Sequence, residues 1–155
     1  LLNTLKKSNI YEYIAELEKN QGKQFMTKEQ KETIEGCIEA LNSHAACAKY
    51  LFQEWPGCEI FNEYEVYFKC LDLDCKAILD RIIVNHNEKY VVLIDLKTTS
   101  KRAQFFPDSF EFWRYYRQMA FYKYALSKEF PGYSFSCYMP VVDTQYFTRH
   151  CYKIN

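Results

Sequence analysis

Two aspartates and a lysine lie within apolar segments near the middle of the sequence. Asp80 ends the run "AILD", and Asp95 and Lys97 end the run "VVLIDLK". Carboxylates among Ile, Val and Leu side chains cost free energy unless a partner compensates their charge. A hard divalent cation such as Mg²⁺ binds carboxylate oxygens, and it polarises a phosphoryl oxygen. These residue types therefore point to metal-dependent hydrolysis of a phosphodiester bond.

The turn between these apolar runs predicts where the carboxylates lie. If the four residues between Asn85 and Tyr90 form a hairpin turn, the same register places Asp80 directly opposite Asp95. Opposite residues of an antiparallel pair share a face, with Cβ atoms about 4.5–5.5 Å apart. Lys97 points to that face because side chains alternate along a strand. A slip of one residue would reverse the face of Asp80, and an ordinary ion pair is the alternative to a metal site.

Hydrophobic periodicity and turn residues predict the elements that position this group. Thr27 and Gln30 fit a capping box at the start of a helix, and Ser109 is a candidate N-cap of another. The predicted helices are 4–19, 27 to about 53, and 109–130; the predicted strands are 60–70, 75–85, 89–97, 134–142 and 145–154. We expect one domain over residues 1–155, with 1–26 as a helical extension and 27–155 as the core.

The composition limits the function classes. A net charge of zero gives no support for a uniformly basic nucleic-acid binder, although a local basic groove remains compatible with it. The seven cysteines form no CxxC pair, which favours reduced thiols in a cytoplasmic protein. No apolar run approaches the roughly 18 residues that span a membrane.

Several short motifs, in order, resemble the PD-(D/E)xK nuclease superfamily. Asp80 followed by "DLK" (95–97) resembles its catalytic signature, although the first motif here lacks the proline. "QMAFY" (118–122) resembles the Q-x-x-x-Y motif of the RecB-like branch. "CKAILDRI", "VLIDLKTTS" and "YYRQMAFYKYAL" are most similar to RecE (exonuclease VIII) type recombination exonucleases, and the resemblance covers about residues 24–143. The helix before the core also resembles that family, in which a histidine occurs near the position of His44.

The resemblance implies a restriction-endonuclease-like αβββαβ core, in which helices flank a central mixed sheet. It implies Mg²⁺ or Mn²⁺ held by Asp80, Asp95, the carbonyl of Leu96 and Glu65, with Lys97 positioning the attacking water and Gln118 and Tyr122 supporting the site. Glu63 shares the face of Glu65 and competes with it. His44 belongs to the site only by resemblance, and a core or surface histidine is its alternative. No iron–sulfur cluster is expected, because the C-terminal cysteines stand far apart.

Further residues near these motifs are candidates for contact with DNA. Arg114 lies one helical turn before Gln118 and holds either a phosphate or a surface carboxylate. Thr98, Thr99 and Ser100 follow the lysine, and they contact the DNA backbone or form an ordinary polar loop. The aromatic segment 105–124 supplies core residues and, beyond those, either stacks on an unpaired base or forms a subunit interface.

The resulting expectation is a metal-dependent exonuclease that acts on duplex DNA ends in recombination or repair. Polarity from 5′ to 3′, a ring-shaped homo-oligomer, a single-strand annealing partner protein and a bacterial or phage-infected host cell are implied by the resemblance alone. An endonuclease or nickase with the same chemistry is the nearest alternative. A catalytically inactive module that binds DNA or protein is the second.

Overall fold

The structure is a computed structural model that describes residues 14–16, 19 and 26–155. The chain divides into two compact units, Leu1–Lys31 and Glu32–Asn155. Residues 14–16 and 19 are helical, and the rest of the predicted helix over 4–19 lies outside the described residues. The assignment of the whole chain to one nuclease domain stays a prediction.

Within described residues 28–154, two helices are followed by four strands, two further helices and two final strands. In chain order the elements are α1 (Lys28–Ser43), α2 (Ala45–Leu51), β1 (Glu59–Cys70), β2 (Leu73–Asn85), β3 (Tyr90–Ile94), β4 (Lys97–Thr99), α3 (Phe106–Phe112), α4 (Tyr115–Glu129), β5 (Ser134–Asp143) and β6 (Arg149–Ile154). A 3₁₀ turn, Ala103–Phe105, precedes α3. No helix in the described residues is both long and apolar enough to cross a membrane.

The strands of the described residues form one six-stranded mixed sheet. β1, β2 and β3 are successively antiparallel, β5 runs parallel to β3 and β4, and β6 is antiparallel to β5. Tyr90 pairs with Ser134 and Lys97 with Val141, so one offset of 44 residues holds in both segments and β4 continues β3 along the same edge of β5. Parallel pairing needs a crossover connection, which α3 and α4 supply. This mixed sheet flanked by helices is the restriction-endonuclease-like fold that the resemblance implies.

The apolar runs of the sequence form the centre of the sheet. Ile82, Ile83 and Val84 are fully buried, as expected for strands covered on both faces. Ile82 and Val84 pack in a cluster with Leu126 of α4. Ile83 packs on the opposite side in a cluster with Tyr50 of α2. Both faces of β2 are therefore core over Ile82–Val84, whereas Asp80, two residues before this stretch, is exposed.

The start of α1 is as predicted, but its end is not. Thr27 Oγ1 accepts the Gln30 N–H (3.1 Å), and Gln30 Oε1 accepts the Thr27 N–H (2.8 Å), which confirms the capping box. The single helix predicted to about residue 53 is wrong, because His44 has extended backbone angles and caps α2. Ser43 Oγ donates to the Ala40 carbonyl (2.8 Å). Short polar side chains of this kind compete with the helical hydrogen bonds.

The helix predicted over 109–130 is also two helices. Arg114 has left-handed backbone angles (φ 56°, ψ 43°) and separates α3 from α4. Ser109 is therefore inside α3 instead of at its N-cap, and Pro107 stands in the first turn of that helix, where proline is favoured. The last predicted strand begins late, at Arg149. The buried Asp143 carboxylate accepts the main-chain N–H groups of Gln145, Tyr146 and Thr148 and holds this segment in a turn.

Candidate active site

The hairpin between β2 and β3 brings Asp80 to the segment of Asp95. Asn85 pairs with Tyr90, as the predicted register requires. The ladder ends one pair before Asp80 and Asp95, and here the Leu96 N–H donates to Asp80 Oδ2 at 2.8 Å. The carboxylate thus replaces a main-chain partner at the point where β3 is interrupted. The single strand predicted over 89–97 is corrected accordingly.

Asp95 and Lys97 form a buried ion pair. Lys97 Nζ lies 2.7 Å from Asp95 Oδ2, and the two side chains are 17% and 2% exposed. The Asp95 N–H donates to the Tyr138 carbonyl (3.0 Å), which fixes the backbone at the end of β3. Burial raises the pKa of the Asp95 carboxyl, the Lys97 ammonium opposes this rise, and the charge of Asp80 adds to it. The two carboxylates are therefore close enough to interact.

A polar face of α4 covers this group. Gln118 Nε2 donates to the Tyr122 hydroxyl at 2.8 Å, one helical turn away. Burial raises the pKa of Tyr122; the bond from Gln118 opposes this, and the charges of Asp95, Lys97 and Asp80 also act on the hydroxyl. The structure thus brings together Asp80, Asp95, Lys97, Gln118 and Tyr122.

Tyr115 is a member of the site that the motifs did not identify. Its ring centre lies 5.0 Å from Lys97 Nζ, within the range of a cation–π contact. Tyr115 stands three residues before Gln118 on α4, so the helical spacing places both on one side of the helix. The three-residue spacing from Gln118 was the signal in the sequence that could have identified Tyr115. The many other aromatic residues of this segment obscured that signal.

Two oxygen atoms test whether the site fits a metal ion. Asp95 Oδ2 is paired in charge with Lys97 but receives no well-aligned hydrogen bond within the described structure, and Gln118 Oε1 receives none. Buried oxygens are usually satisfied, and hard cations take oxygen ligands. No three His, Cys, Asp or Glu side chains gather at one point in the described residues. The donors thus fit an ion such as Mg²⁺, which uses one or two carboxylates and keeps several waters.

The structure gives Glu65 partners other than the aspartates, and its role as a metal ligand stays a prediction. Its Oε1 lies 2.7 Å from Lys76 Nζ, and its Oε2 accepts the Tyr67 hydroxyl at 2.8 Å. Glu63 instead lines the same groove as Asp80. Glu63 has a positive φ of 50°, and the β1–β2 register, which pairs Asn62 with Arg81 and Tyr64 with Leu79, places it opposite Asp80.

Of two other candidates, His44 has contacts that do not include the aspartates, and Arg114 has a different conformation from that predicted. His44 caps α2, where its Nδ1 accepts the Cys47 N–H (3.3 Å), and its ring centre lies 6.3 Å from that of His150. Neither contact involves the aspartates. Arg114 is not helical, so the predicted helical stripe of Arg114, Gln118 and Tyr122 is corrected to the last two residues.

The hydroxyl residues after Lys97 line a groove. Thr98, Thr99 and Ser100 form one side of an open groove of about 490 Å³, and residues of α3 and the start of α4 form the other. Tyr115 is among these residues. The groove therefore begins beside Lys97, which is partly buried.

Comparisons with known proteins agree with this geometry. Residues 3–145 match the family model of the PD-(D/E)XK nuclease superfamily. The fold is similar to the crystal structure of a protein from Eubacterium rectale described as a "Putative exonuclease", with a TM-score of 0.61 and 11% sequence identity. The match covers 96% of this chain and 54% of that one, so this chain spans about half the length of its structural neighbour. Among curated protein sequences none matches significantly.

Proposed function

The chain belongs to the PD-(D/E)XK nuclease superfamily, and from this membership and the geometry of the site we propose a metal-dependent deoxyribonuclease that degrades duplex DNA from free ends. One observation carries the proposal. The buried Asp95–Lys97 pair, with Nζ and Oδ2 2.7 Å apart, stands beside a second carboxylate, Asp80, which the Leu96 N–H holds in place. A structural ion pair needs only one carboxylate, and the second one adds repulsion.

Each residue then has a defined task in the hydrolysis. Asp80, Asp95 and the Leu96 carbonyl would hold Mg²⁺ or Mn²⁺, which when bound polarises the phosphoryl oxygen and acidifies water. The Lys97 ammonium has three protons; one faces Asp95, and the others are available to orient the attacking water and to donate to the phosphate. The hydrolysis adds water oxygen to phosphorus and releases the sugar oxygen as an alcohol.

Gln118 and Tyr122 position this group. The hydroxyl of Tyr122 accepts a hydrogen bond from Gln118 and keeps its own proton to donate. Gln118 Oε1 is buried and accepts no bond within the described structure. Such a pair fixes the orientation of water or of a phosphate oxygen next to Lys97.

Attack at DNA ends is supported by the structural neighbour and by the motifs. The Eubacterium rectale neighbour carries the word exonuclease in its description, and the motifs resemble RecE-type enzymes. We extend the proposal accordingly to 5′ to 3′ digestion in recombination or repair, by a homo-oligomer that works with a single-strand annealing protein. Contact of Thr98, Thr99 and Ser100 with the DNA backbone is part of the same proposal.

Digestion of linear and covalently closed circular duplex DNA tests this function. We expect the wild type to degrade only the linear form, with Mg²⁺ and not with chelator, and Lys97→Ala to be inactive although folded by circular dichroism. Cleavage of the closed circle would make the protein an endonuclease. Failure to cut either form would contradict nuclease activity for this chain.

A further inference from the structure

Two aromatic side chains project into solvent at the end of α3. Phe112 is 74% and Trp113 is 65% exposed. Their ring centres are 4.8 Å apart in an edge-to-face contact. Large apolar side chains gain free energy when they leave water, and clustered exposed ones mark binding surfaces. This pair therefore indicates a partner that the described residues do not supply.

The exposed pair borders the groove beside β4. Thr98, Thr99 and Ser100 line its other side, immediately after Lys97. The volume of about 490 Å³ is typical of a site for a small molecule or part of a larger one. The groove thus combines flat aromatic faces with hydroxyl groups.

Tyr115 connects this groove to the candidate active site. It lines the groove, its ring lies 5.0 Å from Lys97 Nζ, and it stacks on the buried Phe106 at an interplanar angle of 12°. A polymer that places a phosphate at Lys97 therefore has its adjacent residue at the entrance to the groove. The left-handed backbone of Arg114, uncommon for a non-glycine residue, ends α3 next to Trp113.

The charges that line the groove favour a sugar–phosphate backbone on one side and a base on the other. Lys101 lies next to the hydroxyl residues after β4, whereas Asp108 lies on α3. A phosphate is attracted to the ammonium and hydroxyl side and repelled by the carboxylate. A carboxylate accepts from the amino group of a base edge, and aromatic faces stack on any base.

We infer that this groove holds one unpaired nucleobase of the strand being cut, stacked on Trp113 next to the scissile phosphate. The inference rests on the proposed nuclease function and adds a substrate requirement to it. A strand end that frays or overhangs fills the groove, whereas a fully paired base does not. A second copy of this chain is the rival occupant of the aromatic patch.

A fluorescent base tests the inference by binding alone. The probe is a duplex with a short overhang that contains 2-aminopurine, with Ca²⁺ in place of Mg²⁺ and the strand length checked on a gel. We expect wild type to quench the fluorescence, and Trp113→Ala to abolish the quenching and weaken the Kd by about 5- to 150-fold, the range for one stacked base. Trp113→Phe should retain most of the affinity. Tyr67→Ala removes an aromatic ring of similar exposure (70%) on β1 and should change nothing.

An abasic sugar in place of the fluorescent base, tested with wild type and with Trp113→Ala, gives a double-mutant cycle for the contact between base and ring. The abasic duplex should bind wild type as weakly as the intact duplex binds Trp113→Ala. The affinity of Trp113→Ala should be the same for both duplexes. If wild type binds and cuts DNA but neither change matters, the groove inference fails and the nuclease proposal stands. If wild type binds no DNA, both fail. If Trp113→Ala dissociates an oligomer and leaves the quenching intact, the patch is a contact between copies and the inference is overturned.

Discussion

Replacement of Lys97 by methionine separates the charge of the buried ion pair from its packing. Methionine keeps an unbranched apolar chain of similar length, but Asp95, whose side chain is 2% exposed, loses the ammonium 2.7 Å away. Removal of one partner from a buried pair costs about 3–5 kcal/mol. The lost contact with the Tyr115 ring adds about 0.5–1 kcal/mol.

Protonation of Asp95 limits this cost and makes it depend on pH. From an unfolded pKa of about 3.9, neutralising the carboxyl costs about 1.5 kcal/mol at pH 5 and about 5.6 kcal/mol at pH 8. The charge penalty in Lys97→Met therefore reaches its full size at pH 8 and cannot exceed about 1.5 kcal/mol at pH 5.

The sign of the pH dependence follows from the direction of the pKa shift. Burial already raises the pKa of Asp95 above its ordinary value, and loss of Lys97 raises it further. The folded state then binds more protons than the unfolded state between the two pKa values, so stability falls as pH rises through this window. In the variant the window extends to higher pH.

Thermal unfolding in chelator measures the effect. One kcal/mol corresponds to about 2–4 °C for a chain of this size, so we expect Lys97→Met to lower the Tm by roughly 10 °C at pH 8 and by only a few degrees at pH 5. Adding Asp95→Asn should recover most of the loss at pH 8. Lys69→Met is the matched control, because Lys69 pairs with Asp74 on the surface. A Tm of Lys97→Met within 2 °C of wild type at pH 8, a margin of about 1 kcal/mol, would refute the buried pair.

Three further outcomes are expected. Asp80→Asn should unfold within about 1 kcal/mol of wild type, because its amide oxygen still accepts the Leu96 N–H, yet lose cleavage by about 100-fold or more and lose thermal stabilisation by Mg²⁺. Glu65→Gln should leave the cleavage rate within about two-fold of wild type, because the partners of Glu65 are Lys76 and Tyr67; a large loss would return Glu65 to the metal site. Calorimetry should show that Mg²⁺ affinity weakens as pH falls, with onset above the range of an exposed aspartate, because burial raises the pKa of Asp95; a constant affinity from pH 5 to 8 would contradict this.

The sequence predicted the central hairpin because local chemistry determines it. Four residues connect Asn85 to Tyr90, and the Asn85 side chain accepts the Glu88 N–H at 2.8 Å within the turn. Once that register is set, the alternation of side chains brings Asp80 to Asp95. The capping box at Thr27 is local in the same sense.

The helix breaks were not predictable from local signals. His44 and Arg114 interrupt helical segments without a glycine or proline at either point. Apolar periodicity continues across both breaks, because buried residues occur on each side. The positive φ of Glu63 and the approach of Tyr115 to Lys97 depend on tertiary packing, so both appear only in the structure.

The most direct test of the central claim is the cleavage of an end-labelled linear duplex by wild type and Asp80→Asn under single-turnover conditions. Asp80 is exposed at the surface, so the variant should fold and bind DNA. We predict that wild type cuts with Mg²⁺ and not with chelator, and that Asp80→Asn binds the duplex but leaves it intact. Cleavage by Asp80→Asn at the wild-type rate, or by wild type in chelator, would contradict hydrolysis at the Asp80–Asp95–Lys97 site.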